Sequence, residues 1–99
     1  MDILAYRDRS MVVVEVPGII DMDDQQPVFD ALRAEVDRCA EPLIVVRMLD
    51  PLVTSAGLHV LDDAHRYARA RGIALRVVVH PMAVRVFDVV GLDHLLREE

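Results

Sequence analysis

The sequence predicts an α/β domain built on a mixed β-sheet, in the order β-β-α-β-α-β-α with a short closing element. Two observations carry that expectation. Apolar, strand-like runs occupy Ile3–Tyr6, Met11–Val16, Leu43–Leu49 and Ile73–Val79, and from the second run onward they alternate with amphipathic helical segments. Only the polar turn Arg7-Asp8-Arg9-Ser10 separates the first two runs, a spacing that suits a hairpin. Strands joined through helices pair in parallel by right-handed crossovers, so the hairpin adds one antiparallel strand at the sheet edge. A length of 99 residues holds one core, and residues 1–99 read as a single domain with no repeats, linkers or low-complexity tracts.

Each element follows from local chemistry. Val12, Val13 and Val14 are contiguous β-branched residues, as in a strand covered on both faces or nearly so. Pro17-Gly18 ends it. The polar segment Asp21–Gln26 leads to Pro27, which fits the first turn of a helix because its missing N–H is not needed there. Phe29, Leu32, Val36 and Cys39 recur at helical spacing, which makes Cys39 a small core residue on that helix. Pro42 closes the region before the central strand. Leu58, Leu61, His65 and Ala68 stripe the second helix, whose charges run acidic early and basic late and so complement the macrodipole. Gly72 suits a left-handed helix terminator. Pro81 starts a third helix through Val84, Phe87 and Val90, ended by Gly91; Leu92, Leu95 and Leu96 close the chain.

Composition narrows the function. The chain is 54% hydrophobic, but its apolar blocks are far too short to span a bilayer, and no basic region with a long apolar core opens it. The expectation is a soluble cytoplasmic domain without a membrane partner. A formal charge of −6 opposes general nucleic-acid binding, which needs a basic face. One cysteine makes neither an internal disulfide nor a zinc cluster, and His59, His65, His80 and His94 lack metal spacing with it. Asp21, Asp23 and Asp24 read as a solvated loop favouring the helix start, and Arg66, Arg69 and Arg71 as a solvated helix end. Met22, Met48 and Met82 read as core or surface filler. No Ser-His-Asp arrangement, glycine-rich phosphate loop or paired carboxylates point to catalysis, so no enzyme, cofactor or metal is expected. The edge strand Ile3–Tyr6 offers pairing to a second copy as a weak homodimer, against which stand the flanking Asp2, Arg7 and Asp8.

The most informative stretch is Thr54-Ser55-Ala56-Gly57-Leu58, between the central strand and the second helix. Ser55 stands where helix N–H groups lack partners and the macrodipole favours negative charge. The position suits a capping hydroxyl and also a reversible phosphate. Thr54 reads as the cap.

At this point the chain resembles the STAS domain, the fold of bacterial anti-sigma factor antagonists, from Met11 to Leu96. Gly18-Ile19-Ile20-Asp21 is similar to the family's Gly-Glu-Leu-Asp turn. Thr54-Ser55-Ala56-Gly57-Leu58 is similar to its Asp-Ser-Ser-Gly-Leu signature, and Arg71-Gly72 through Val90-Gly91-Leu92-Asp93-His94-Leu95-Leu96 to its ending. The resemblance implies a mixed sheet with helices packed mainly on one face and regulation by partner switching: the antagonist binds an anti-sigma factor that is also a serine kinase, frees the sigma factor, and is released once phosphorylated. It places the phosphoacceptor at Ser55 and the partner surface at Asp21, Asp23, Thr54, Ser55, Ala56, Gly57 and Leu58, with Gly57 letting the helix start pack closely against a partner. The departures are Thr54 for the signature Asp, Ala56 for its second hydroxyl, Ile19 for the turn's Glu, and Arg47 where an acid often ends the central strand. A non-phosphorylated accessory subunit of a lipid-transport ATPase complex is the second reading, and a nucleotide- or lipid-binding domain the third.

Overall fold

The computed structural model describes residues 1–97, and its sheet follows chain order. Strand β1 (Leu4–Asp8) pairs antiparallel with β2 (Met11–Val16), which runs parallel to β3 (Leu43–Met48), itself parallel to β4 (Ala74–Val78). The hairpin is tighter than expected. Arg7 and Asp8 join β1, leaving Arg9 and Ser10 as the turn, and Arg9 takes the positive φ of 58° that so short a connection demands. Leu49, Ile73 and Val79, expected in strands, fall just outside them.

Helices α1 (Gln25–Arg38), α2 (Ser55–Arg69) and α3 (Pro81–Val89) connect and follow the parallel strands; a 3-10 turn over Met22–Asp24 leads into α1 and another, Asp93–Leu95, follows α3. Alternate residues of the strands supply the core: Val12, Val14 and Val16 of β2, Ile44, Val46 and Met48 of β3, Leu75 and Val77 of β4. Against them pack Val28, Leu32 and Val36 of α1, the small face of α2, Phe87 of α3 and Leu95. Burying a side chain such as Phe87, which is fully enclosed, stabilises by about 1.5–3 kcal/mol.

Three expected stripes shift. On α2 the buried residues are Ala56, Gly57, Val60, Leu61, Ala64 and Ala68, with Leu58 and His65 only half-buried, because the small residues let the helix approach its neighbours. On α3 Ala83 and Phe87 face inward while Val84 and Val90 are exposed. Cys39 lies past the end of α1 in extended backbone, half-buried, its thiol donating to the Glu41 carbonyl at 3.2 Å; burial pushes that thiol up from its ordinary value. Gly72 and Gly91 hold φ of 73° and 77° after α2 and α3, as terminators should.

The opposite sheet face is closed by its own side chains. Val13 and Val45, each 3% exposed, sit in a cross-strand row with Tyr6 and Arg76. In the next row the Tyr6 hydroxyl donates to Glu15 Oε2 (3.1 Å), which also pairs with Arg47 (3.5 Å). Arg47 therefore serves the sheet.

Helices α1 and α2 are clasped at their carboxyl ends. Tyr67 donates to Asp37 Oδ1 (2.7 Å) and accepts from Arg33 Nε (3.3 Å), while Arg71 stacks 3.7 Å over its ring and pairs with Asp37 (3.3 Å). Phe29 meets the same ring edge-on at 6.3 Å. Arg66, Arg69 and Arg71 are all exposed at this helix end, with Arg66 also pairing to Asp62 at 3.1 Å. Leu96 forms a parallel bridge to Val77, so the chain returns to the outer side of β4.

Candidate functional site

Because β2, β3 and β4 are parallel, the loops after them emerge at one end of the sheet, the end where α/β folds commonly bind their ligands. Thr54 ties two of those loops together. From an extended N-cap its Oγ1 accepts the Gly57 N–H (3.0 Å), and the same hydroxyl donates to the Ile20 carbonyl. The turn that carries Asp21 is thereby fixed to the head of α2.

Ser55 follows as the first residue of α2 and is exposed; among the described residues its hydroxyl has no partner in the protein, Thr54 having taken the capping role. Ala56 and Gly57 are buried, so they shape the site through the backbone and present little surface. A Cβ on Gly57 would lie 3.4 Å from Thr54 Oγ1 and 3.6 Å from Ile20 Cβ, so the helix start packs closely against the chain's own turn. Leu58 is half-exposed. Asp21 and Asp23 are exposed, and the Asp21 N–H donates to Asp24 Oδ2 (3.0 Å), so Asp24 closes the loop on itself. Among the described residues no group of three or more His, Cys, Asp or Glu is arranged to hold a metal ion.

A groove of about 330 Å³ runs from Ser55 along α2, lined by Ser55, Leu58, His59, Asp62, Val90 and Leu92. Its walls combine an apolar floor with a hydroxyl, an imidazole and a carboxylate at successive turns of one helix face. Around the same end stand Met22 (81% exposed) after β2, Leu52 (63%) and Leu49 after β3, and Met82 (75%) in the first turn of α3 after β4. The sequence reads Met22 and Met82 as filler, Leu49 as strand and His59 only as a histidine without metal spacing, and gives Leu52 no role. The signal the apolar ones share is position: each lies within a few residues of the carboxyl end of a parallel strand.

His65, expected on the apolar stripe, is half-buried farther down α2. Its Nδ1 is enclosed and has no partner among the described residues, its ring meets His94 edge-on at 5.5 Å, and burial, with Arg76 and His94 adding, holds its pKa below the ordinary value. The site needs no help from it. Among the described residues no helix is long and apolar enough to cross a membrane.

Comparison with known proteins assigns the fold. No family model matches the chain, and no curated protein matches it in sequence. Among solved structures it is similar to the anti-sigma factor antagonist SpoIIAA in its unphosphorylated form (TM-score 0.74, 16% identity, 99% of this chain and 88% of that one). It is similar also to an anti-sigma factor antagonist from Mycobacterium paratuberculosis (0.78, 24%, 96% and 81%) and to the Bacillus cell fate determinant SpoIIAA in its phosphorylated form (0.67, 18%, 99% and 91%). The four-stranded mixed sheet with three helices is thus the STAS fold of anti-sigma factor antagonists.

Proposed function

We propose that this protein is a regulatory binding protein of the anti-sigma factor antagonist type, acting in the cytoplasm on transcription by partner switching and controlled by phosphorylation of Ser55. The observation that carries the reading is the pairing of that fold with an exposed, uncommitted serine at the head of α2, beside a groove and an apolar rim. The unmodified protein binds an anti-sigma factor through the Asp21–Asp23 loop, the first turn of α2 and the exposed side chains of Met22 and Leu52. The bound partner, itself a serine kinase, transfers the terminal phosphoryl group of its ATP to the Ser55 hydroxyl, whose proton is lost.

The physical effect of that transfer is local. A phosphate adds a charge of about −1.5 to −2 at pH 7 to a surface that had none at Ser55. The Ser55 and Ala56 N–H groups, unlike Gly57's, are free of the cap and stabilise it. The fold is therefore retained while the partner faces charge and bound water where it had met a small hydroxyl. A loss of a few kcal/mol in affinity is enough to switch partners.

The test is recovery of partners from native cell extract by wild-type protein and Ser55→Glu, with and without ATP. The expected result is a serine kinase held by wild type, released on adding ATP, and not held by Ser55→Glu at unchanged thermal stability. Equal recovery of one partner in every condition would overturn switching, and a transporter ATPase as that partner would make the protein an accessory subunit.

A further inference from the structure

We propose that His59 is the counter-charge of the Ser55 phosphate, closing on it across the head of the groove; this rests on Ser55 being the phosphoacceptor. Ser55 and His59 lie four residues apart on α2, so they share one face, and both are exposed. Helical side chains lean toward the amino terminus, which carries the imidazole back over the Ser55 turn. Both residues line the same groove, and of the six residues lining it His59 is the one able to become a cation.

The surroundings favour this pairing over the alternatives. On its own helix His59 faces Asp62 and Asp63. Asp62 is already held by Arg66 at 3.1 Å. Asp63 lies four residues beyond His59, and an anion on that side of a cation is the weaker arrangement; a phosphate at Ser55 lies on the stronger side and carries more charge. From α1 the facing groups are Gln25 and Gln26, both neutral, with Gln26 already donating to Asp30 at 2.8 Å. From the segment after α3 they are Val90 and Leu92, which are apolar and limit solvent on that flank. The consequence is steric as well as electrostatic: a phosphate–imidazolium pair occupies the mouth of the groove, so the partner loses a cavity along with a neutral surface.

The experiment uses the full chain with phosphoserine incorporated at position 55 during synthesis, so that no kinase is needed. The second ionisation of the phosphate, ordinarily near pH 6, is followed by phosphorus NMR in the His59-containing protein and in His59→Gln. An exposed one-turn pair predicts a phosphate pKa lower by about 0.3 pH unit when His59 is present, with the difference shrinking at high salt. Equal values, or a lower value in His59→Gln, would overturn the proposal. Failure of the underlying reading is seen separately, as no ATP-dependent release of a kinase in the recovery experiment, whatever the titration shows.

Discussion

Where the parallel strands begin, Tyr67 is held between Arg33 and Arg71 with its hydroxyl on Asp37, Arg7 pairs with Glu41 at 3.2 Å, and Arg38 pairs with Glu35. Where they end, Met22, Leu49, Leu52 and Met82 stand exposed around a serine whose hydroxyl has no protein partner among the described residues. One end satisfies its polar groups internally and exposes mostly charge. The other uses Thr54, Asp24, Asp50 and His80 to order the backbone of its own turns and leaves apolar side chains standing out from them. The difference separates scaffold from contact surface within one small sheet, and it teaches that the candidate site is defined by what is left unsatisfied as much as by any residue type.

Substitutions at the two ends sharpen that contrast. The largest effect on stability is expected where the Ile20 turn meets the head of α2: Thr54→Val removes the acceptor of the Gly57 N–H and the donor to the Ile20 carbonyl, for a loss of about 2 kcal/mol, while Thr54→Ser keeps most of it. Urea unfolding of the two variants measures this, and equal loss in both would remove the hydroxyl from the account. At the scaffold end, Tyr67→Phe withdraws the hydroxyl shared by Arg33 and Asp37, for about 1 kcal/mol by the same method, with partner recovery unchanged. At the contact end, Leu52→Ser should cost less than about 0.5 kcal/mol of stability yet weaken partner binding roughly tenfold, read by calorimetry with the recovered partner. Intact binding by that variant would blur the division.

Much of this was legible in the residues. The β-branched runs, the short polar hairpin turn, and Gly72 and Gly91 as terminators define the sheet order and the helix ends, since strand period and left-handed backbone leave few alternatives. The inward faces of the helices were less so. In α3 all but three of nine residues are Met, Ala, Val or Phe, so apolar spacing does not choose between Val84 and Ala83, and packing chose Ala83 and Phe87. In α2 the reading favoured the larger Leu58 and His65, where close approach selected Ala56, Gly57 and Ala64. At the site, Thr54 as cap and Ser55 as an exposed neighbour follow from helix-start chemistry. The second bond of Thr54, to Ile20 thirty-four residues away, has no local signature, nor has the gathering of Met22, Leu52 and Met82 at one end.

The Thr54 hydroxyl donates to the turn at Ile20 and accepts from the Gly57 N–H of α2, a double role no ionised carboxylate can play because it only accepts. An acid at this position, the spelling of the signature the chain resembles, would still cap Gly57 but would set two acceptors face to face at Ile20. The hydroxyl commits the turn and the helix to each other, so Thr54→Asp would keep the cap on Gly57 and lose the bond to Ile20.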